Sequence, residues 1–554
     1  MLKIKNTVKR AEGGVWKIVN FRIACACAVF LCLGIAFGYA RITAGLSYWW
    51  LALLLLLTGL IFYFSDMFVH MRKCAIVALV LWSFFAVGVI SFSAHIRDFT
   101  SATVYDGEYA VCGRVVERET DGENHYITLD KLYIDGNAEK GRLVAYLPAP
   151  FYNTVALSDT VVLRGDVRTQ VRLFGKYGFR SYVIENDERY YAYVESGIVT
   201  GNTHNLFLLV RSRIENVVYA GMDEGSAAVT MAVLTGDTSG IDEGLLENIR
   251  RGGIAHIFAV SGLHIGALYA FCLFLLQKTG LKRLSNPFRF IFVATVLIFY
   301  GGVCGFSASV MRALITCLLF YATKLLGIGG DTLENLGVAA IIILLLSPLS
   351  LFAAGFQLSF AACIGIAFLA RPISSFAYAA GDKIQSRLGV KRTLPTDDDT
   401  QPLSVGARIV RGCISFFSVS LAAQIATTPI LLQTFGYLSG WSLLLNCMFV
   451  PLIGAAFSVL LVFVFLACLL PTAISGVILY VPNVVWSAVL LVFDVIDFSS
   501  FALVGWQVYA PSYFSYYTAC FCGSDKWNVP KSYRRTVCIL SLLAFVITMY
   551  AFNL

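Results

Sequence analysis

Apolar runs long enough to cross a hydrocarbon core recur along most of this chain, and they leave few folds open to it. The first covers residues 21–40. About 20 residues at a helical rise of ~1.5 Å span the ~30 Å of a bilayer interior. Two more follow at 47–64 and 74–94, and ten further runs lie at 254–277, 288–304, 306–326, 333–346, 353–370, 411–432, 440–468, 473–493, 508–523 and 537–553. Only 14% of the residues are charged, against roughly a quarter in soluble domains. The chain is therefore read as one large helical membrane domain with one small aqueous domain, not as several soluble units. Most of the fifteen cysteines sit inside apolar runs, where Cys acts as a small apolar filler. No C-x-x-C pair or zinc spacing occurs, so neither a metal nor a cofactor is expected.

Charge placement gives an expected orientation. Lys3, Lys5, Lys9, Arg10, Lys17 and Arg22 precede the first run, which reads as a retained signal anchor with a cytoplasmic N-terminus. Basic clusters at 278–289, 371–411 and 526–535 are expected on the cytoplasmic side too. Residues 1–99 then form about three N-terminal spans, and the segment after His95 lies outside. Residues 203–224 read as an amphipathic linker helix and 225–554 as a second membrane domain.

Residues 100–202 differ in kind. Short apolar stretches alternate with polar residues at 109–119, 125–135, 141–147, 160–168 and 183–199, and turn signals such as Asp135-Gly136 separate them. About five short strands predict an extracytoplasmic small β-barrel of the OB type, with a small sandwich as the alternative. The segment carries fifteen acidic and eleven basic residues, so no general attraction for nucleic acid follows. Locally, Arg164, Arg168, Arg172, Lys176 and Arg180 interleave with Phe174, Tyr177 and Phe179. Guanidinium groups pair with phosphates and aromatic faces stack on unpaired bases. The same stripe also suits anionic lipid headgroups.

The chemistry-bearing stretch runs from Leu234 to Gly266, LTGDTSGIDEGLLENIRRGGIAHIFAVSGLHIG. His256 and His264 are eight residues apart, which on one helix puts both imidazoles on one side. With Ser261, Gly262 and Gly266 they argue for a wet path or for a tight polar seam, because an ionisable group at bilayer depth is costly unless paired or hydrated. Arg312, Gln357, Ser359, Gln424, Pro429, Asn446 and Pro451 add polar groups and helix breaks in later runs. Arg312 stands out, since a guanidinium cannot escape its charge by losing a proton.

IAHIFAVSGLHIG resembles the signature of the competence membrane domain of ComEC-type proteins. LTGDTSGIDEG, GFSASVMRALI, SPLSLFAAGFQLSFAACIGI and QIATTPILLQTFGYLSGWSLLLNCMFVPLIG are similar to further family pieces, in the family's order. The resemblance implies a non-enzymatic channel for single-stranded DNA in natural transformation. It also implies an extracytoplasmic DNA receptor, a cytoplasmic helicase-like motor and membrane lipids as partners. It carries over Asp237, His256, Ser261, Gly262, His264, Gly266, Arg312, Gln357, Ser359, Gln424, Pro429, Asn446 and Pro451 as channel candidates. Many members end in a metallo-β-lactamase-like hydrolase. None of this chain's six His form His-x-His, so that domain is expected to be missing and a separate nuclease is implied. No G-x-x-x-x-G-K-[ST] loop is present, so the motor must be external. A small-solute or lipid transporter on the same fold is the alternative. A further one is an intramembrane serine hydrolase built on Ser261 with His264 or His256.

Overall fold

The computed structural model describes residues 22–45, 71–121, 124–202 without 171, 176 and 177, 205–279 without 259, 283, 285–327, 331–387, 405–495, and 502–553 without 505–507, 509 and 525–530. The expected span at 47–64 lies outside the described residues, as do Lys176 and Tyr177.

Eight helices among the described residues are long and apolar enough to cross a membrane. The chain is a multi-pass α-helical membrane protein. Helix α1 (Ile23–Ala44) and helix α2 (Met71–Thr100) lie side by side. Glycines let their backbones meet: a Cβ at Gly34 would fall 2.1 Å from the Phe85 carbonyl oxygen, and one at Gly88 would fall 2.5 Å from that of Leu31. Small residues at a helix crossing are the usual route to tight packing in lipid, where no hydrophobic effect drives helices together.

The strands between α2 and the second membrane block are β1 (Asp106–Asp121), β2 (Asn124–Ile134), β3 (Asn137–Glu139), β4 (Arg142–Leu147), β5 (Asp159–Thr169), the short hairpin β6 (Phe174–Gly175) and β7 (Gly178–Phe179), and β8 (Glu188–Asn202). Six of them form one mixed sheet in the order β1-β5-β8-β4-β2-β3, with an additional β1–β2 pairing. This corrects the expected small β-barrel of the OB type. The segment is described by a six-stranded sheet with β3 at its edge, a parallel β4–β8 pair and antiparallel neighbours elsewhere. Alternation in sequence marks strands but not their partners. The β1 register shifts between Cys112 and Arg114 and again between Val115 and Glu117, and such bulges redirect a strand in ways that periodicity does not carry. Ile127, Leu129, Leu143, Ala145, Val161, Leu163, Val167 and Ala192 fill the core on one face.

The second membrane block begins with α3 (Leu206–Gly221), α4 (Glu224–Thr235), α5 (Glu243–Arg251) and α6 (Ala255–Phe258). It continues with α7 (Gly262–Lys278), α8 (Asn286–Val303), α9 (Ala308–Leu325), α10 (Thr332–Leu346), α11 (Ala354–Arg387), α12 (Val405–Phe435), α13 (Ser442–Leu469), α14 (Ser475–Val495), α15 (Ala510–Gly523) and α16 (Lys531–Asn553). The expected single helix over 254–277 is broken before Gly262, where Val260 and Ser261 are not helical. Ser261 caps α7 in a reciprocal capping box with His264 in the third helical position, the place that Glu or Gln usually takes. The expected run at 508–523 is a helix of only 14 residues, shorter than a full crossing requires.

Two sets of contacts hold the sheet unit on the helices. Arg189 reaches Asp98 at the end of α2 as well as Asp187 beside it. Phe179 sits among Tyr39, Phe352, Phe174 and Phe92, with ring centroids 5.0 to 6.5 Å away. Hairpin β6–β7 is thus packed against α1, α2 and the turn at 348–352.

Candidate functional site

Where the sheet unit meets the second membrane block lies a cavity of about 1070 Å³. One wall is β1, β2 and β4, through Glu117, Arg118, Glu119, Tyr126 and Arg142. The opposite wall is the turn after α4, with Thr235 to Ser239, together with Arg211 of α3 and Arg250 of α5. Val260 and Met311 also line it, and these are the chain neighbours of Ser261 and Arg312.

Asp237 is the fixed point of this wall. Helix α4 ends at Gly236 in a left-handed turn (φ +84°), which turns the chain so that Asp237 faces α3. Its carboxylate accepts from the Arg211 guanidinium at 2.8 Å and from the Ser239 hydroxyl at 2.6 Å. Burial opposes its ionisation, but the Arg211 charge and the Ser239 bonds outweigh that and hold the carboxyl below its ordinary range. Across the cavity Glu117 is pushed up, chiefly by burial. Two further lining residues are joined where the Ser350 hydroxyl donates to Glu185 at 2.7 Å.

Next to Met311 in the chain is Arg312 on α9, 9% exposed. Its Nη1 donates to Cys363 Sγ at 3.2 Å, and no carboxylate pairs with it among the described residues. Gly262 makes room for it: a Cβ there would lie 2.6 Å from Nη2. One turn along, a Cβ at Gly266 would meet nothing within 4 Å. His264 is fully buried against Phe457. Its Nδ1 accepts the Ser261 backbone N–H at 3.0 Å, so that nitrogen carries no proton and Nε2 does. The Ser261 hydroxyl in turn accepts from the Leu263 N–H. Both side chains are occupied as a helix cap, a poor arrangement for a nucleophile and its base.

His256, on α6, is solvent-accessible and does not share a helix face with His264. The Gln357 amide donates to the Leu351 carbonyl at 2.9 Å, and Ser359 is half-buried two residues beyond. Asn446 donates to Ser442, which reaches the Gly253 carbonyl; Pro451, in the same helix, is exposed. Pro429 removes a donor from α12 and frees the Ile425 carbonyl, which accepts from the Tyr516 hydroxyl at 2.7 Å. Tyr513 and Tyr517 donate to Pro429 and Ala426. Among the described residues, four candidates keep buried polar atoms without a protein partner: His264 Nε2, Arg312 Nε, Gln424 Oε1 and Asn446 Oδ1. In the sheet unit, Arg164, Arg168 and Arg172 are exposed, whereas Arg180 and Phe179 are half-buried and Phe179 faces the helices. Phe174 is exposed beside it. Sequence reading missed Arg142, Arg118 and Arg250 as cavity groups; their isolated positions along the chain carry no motif.

A family model described as competence protein matches residues 233–529, more than half of the chain. This chain belongs to the competence protein family. The competence match begins inside α4 and takes in Asp237, the α7 cap and Arg312. The chain is 26% identical over 272 residues to ComE operon protein 3 of Bacillus subtilis (strain 168), which is 49% of this chain and 29% of that protein. It is 31% identical over 126 residues to uncharacterized protein MG316 of Mycoplasma genitalium, which is 23% of this chain and 31% of that one. Less than a third of either relative is covered. No solved structure matches. Among the described residues, no three His, Cys, Asp or Glu side chains group to hold a metal ion.

Proposed function

We propose that this competence-family chain conducts single-stranded DNA across the cytoplasmic membrane. The sheet unit lies outside, the N-terminus inside, and the cavity between sheet and helices is the entrance. One observation carries the reading: Val260 and Met311, the chain neighbours of Ser261 and Arg312, line the cavity, so an arginine without a carboxylate among the described residues stands one residue from a polar cavity wall. A strand carries one negative charge per nucleotide. Arg118, Arg142, Arg211 and Arg250 line the cavity beside Glu117, Glu119, Glu185, Asp237 and Glu243, so the counter-charge this reading relies on is Arg312, which has no carboxylate partner among the described residues. The unpartnered atoms of His264, Arg312, Gln424 and Asn446 fit a hydrated path, because leaving such groups dry costs about 1–3 kcal/mol each. An outside receptor, a cytoplasmic helicase-like motor and a separate nuclease complete the process.

The test is uptake of fluorescent DNA by a transformable strain deleted for the gene and complemented with wild type or Arg312→Gln. The channel reading expects full rescue by wild type and loss with the variant. Unchanged uptake in the deletion strain refutes it. Loss of a lipid or small solute from the transported pool, with DNA uptake intact, favours the transporter alternative.

A further inference from the structure

The outer face of the sheet carries a row of tyrosines that no motif announces. Tyr126 on β2 pairs with Tyr146 on β4, and Tyr146 pairs with Tyr193 on β8. The ring centroids are 5.8 Å and 5.2 Å apart, the second pair stacked at 19°. Tyr191 stands 6.0 Å from Tyr193, edge-on. The alternate residues Ile127, Ala145 and Ala192 are core, so the row faces away from it, and Tyr193 is 55% exposed. On the neighbouring strand β5, exposed Arg168 lies opposite Tyr191, Asp166 lies opposite Tyr193, and exposed Arg164 lies opposite Ser196. Of the nearby carboxylates, Asp166 pairs with Arg168 and Glu119 accepts from the Tyr126 hydroxyl, while Glu195 on β8 and Glu108 on β1 are exposed. Tyr126 and Arg142 also line the cavity, so the row is continuous with the entrance.

We infer that this row is a stacking platform for the unpaired bases of a nucleic-acid strand, leading into the cavity. The inference rests on the channel reading and supplies its docking step. Rings stack on any base, and arginines beside them reach phosphates, which gives binding without sequence preference. Tyr193, more than half exposed as a residue, leaves this part of the row accessible to a ligand.

The experiment uses the full chain in phosphatidylcholine nanodiscs and two fluorescent strands of equal length, an oligothymidylate and its abasic counterpart. Tyr193→Ala should weaken oligothymidylate binding about tenfold, within the range of a lost base–aromatic stack, and leave abasic binding unchanged. Tyr193→Trp should bind like wild type. Equal oligothymidylate affinity for wild type and Tyr193→Ala overturns the platform, as does an equal loss for both strands or wild-type protein that retains neither. Base-dependent binding through Tyr193 without any DNA uptake in cells would sink the channel reading alone. Uptake that ignores Tyr193 would sink the platform alone.

Discussion

Replacing Gly262 with Ala places a methyl carbon 2.6 Å from Arg312 Nη2, where ordinary contact begins at 3.4 Å. The guanidinium must retreat by about 0.8 Å. Because the obstructed atom is the far end of a flexible side chain, folding should barely notice. The alanine gains up to about 1 kcal/mol of helix propensity, and the weakened Cys363 contact gives back a similar amount. The expected change in thermal midpoint is within about 2 °C. Function should respond more. At an effective dielectric of about 20, withdrawing a unit charge from ~3.0 to ~3.8 Å of a phosphate lowers the attraction from about 5.5 to about 4.4 kcal/mol, or roughly sixfold. Gly266→Ala is the control, with the same propensity gain and no atom within 4 Å of the new methyl. Midpoints of both variants in detergent, alongside labelled-DNA uptake by complemented cells, read the two effects separately. If both variants take up DNA equally well, the argument that Gly262 exists to seat Arg312 for transport is wrong.

Asp237→Asn should lower the thermal midpoint, since it strips the charge from a largely buried pair with Arg211, a change costing up to about 3 kcal/mol. The depressed Asp237 carboxyl adds stability that is complete above its unfolded value near 3.8 and is lost as pH falls through the lower folded value. Wild-type midpoints followed downward through pH 4 should therefore drop more steeply than those of the variant. Tyr516→Phe leaves the Ile425 carbonyl without its donor and should cost about 1–3 kcal/mol, read as a lower midpoint. Phe179→Ala removes the ring that packs among Tyr39, Phe92 and Phe352. Limited proteolysis should then cut the 170–185 segment faster than in wild type, at a stability loss of about 2 kcal/mol.

The membrane spans were legible because an apolar run in lipid needs little else to specify it. Ile23–Ala44 and Ser442–Leu469 fall close to where hydropathy put them. The break before Gly262 was hidden, since a capping box that uses His264 does not look like one that uses Glu. Strand positions were legible from alternation, but pairing was not. Tyr126, Tyr146 and Tyr193 are far apart in sequence, and only the sheet order makes them neighbours. The stripe around 172–180 drew attention by local density, yet Phe179 is turned toward the helices. Arg312 was conspicuous by its charge; its dependence on a glycine 50 residues away was not.

Helix α10 lies inside the competence match, yet much of what touches it does not. A Cβ at Gly337 would fall 2.6 Å from the Cys25 backbone nitrogen. Glu334 accepts from the Ala24 N–H, and Asp331 pairs with Arg22. The boundary that homology draws at residue 233 therefore cuts through a continuous packed wall. A protein that carried the matched region without α1 would have to shield the same flank of α10 with something else.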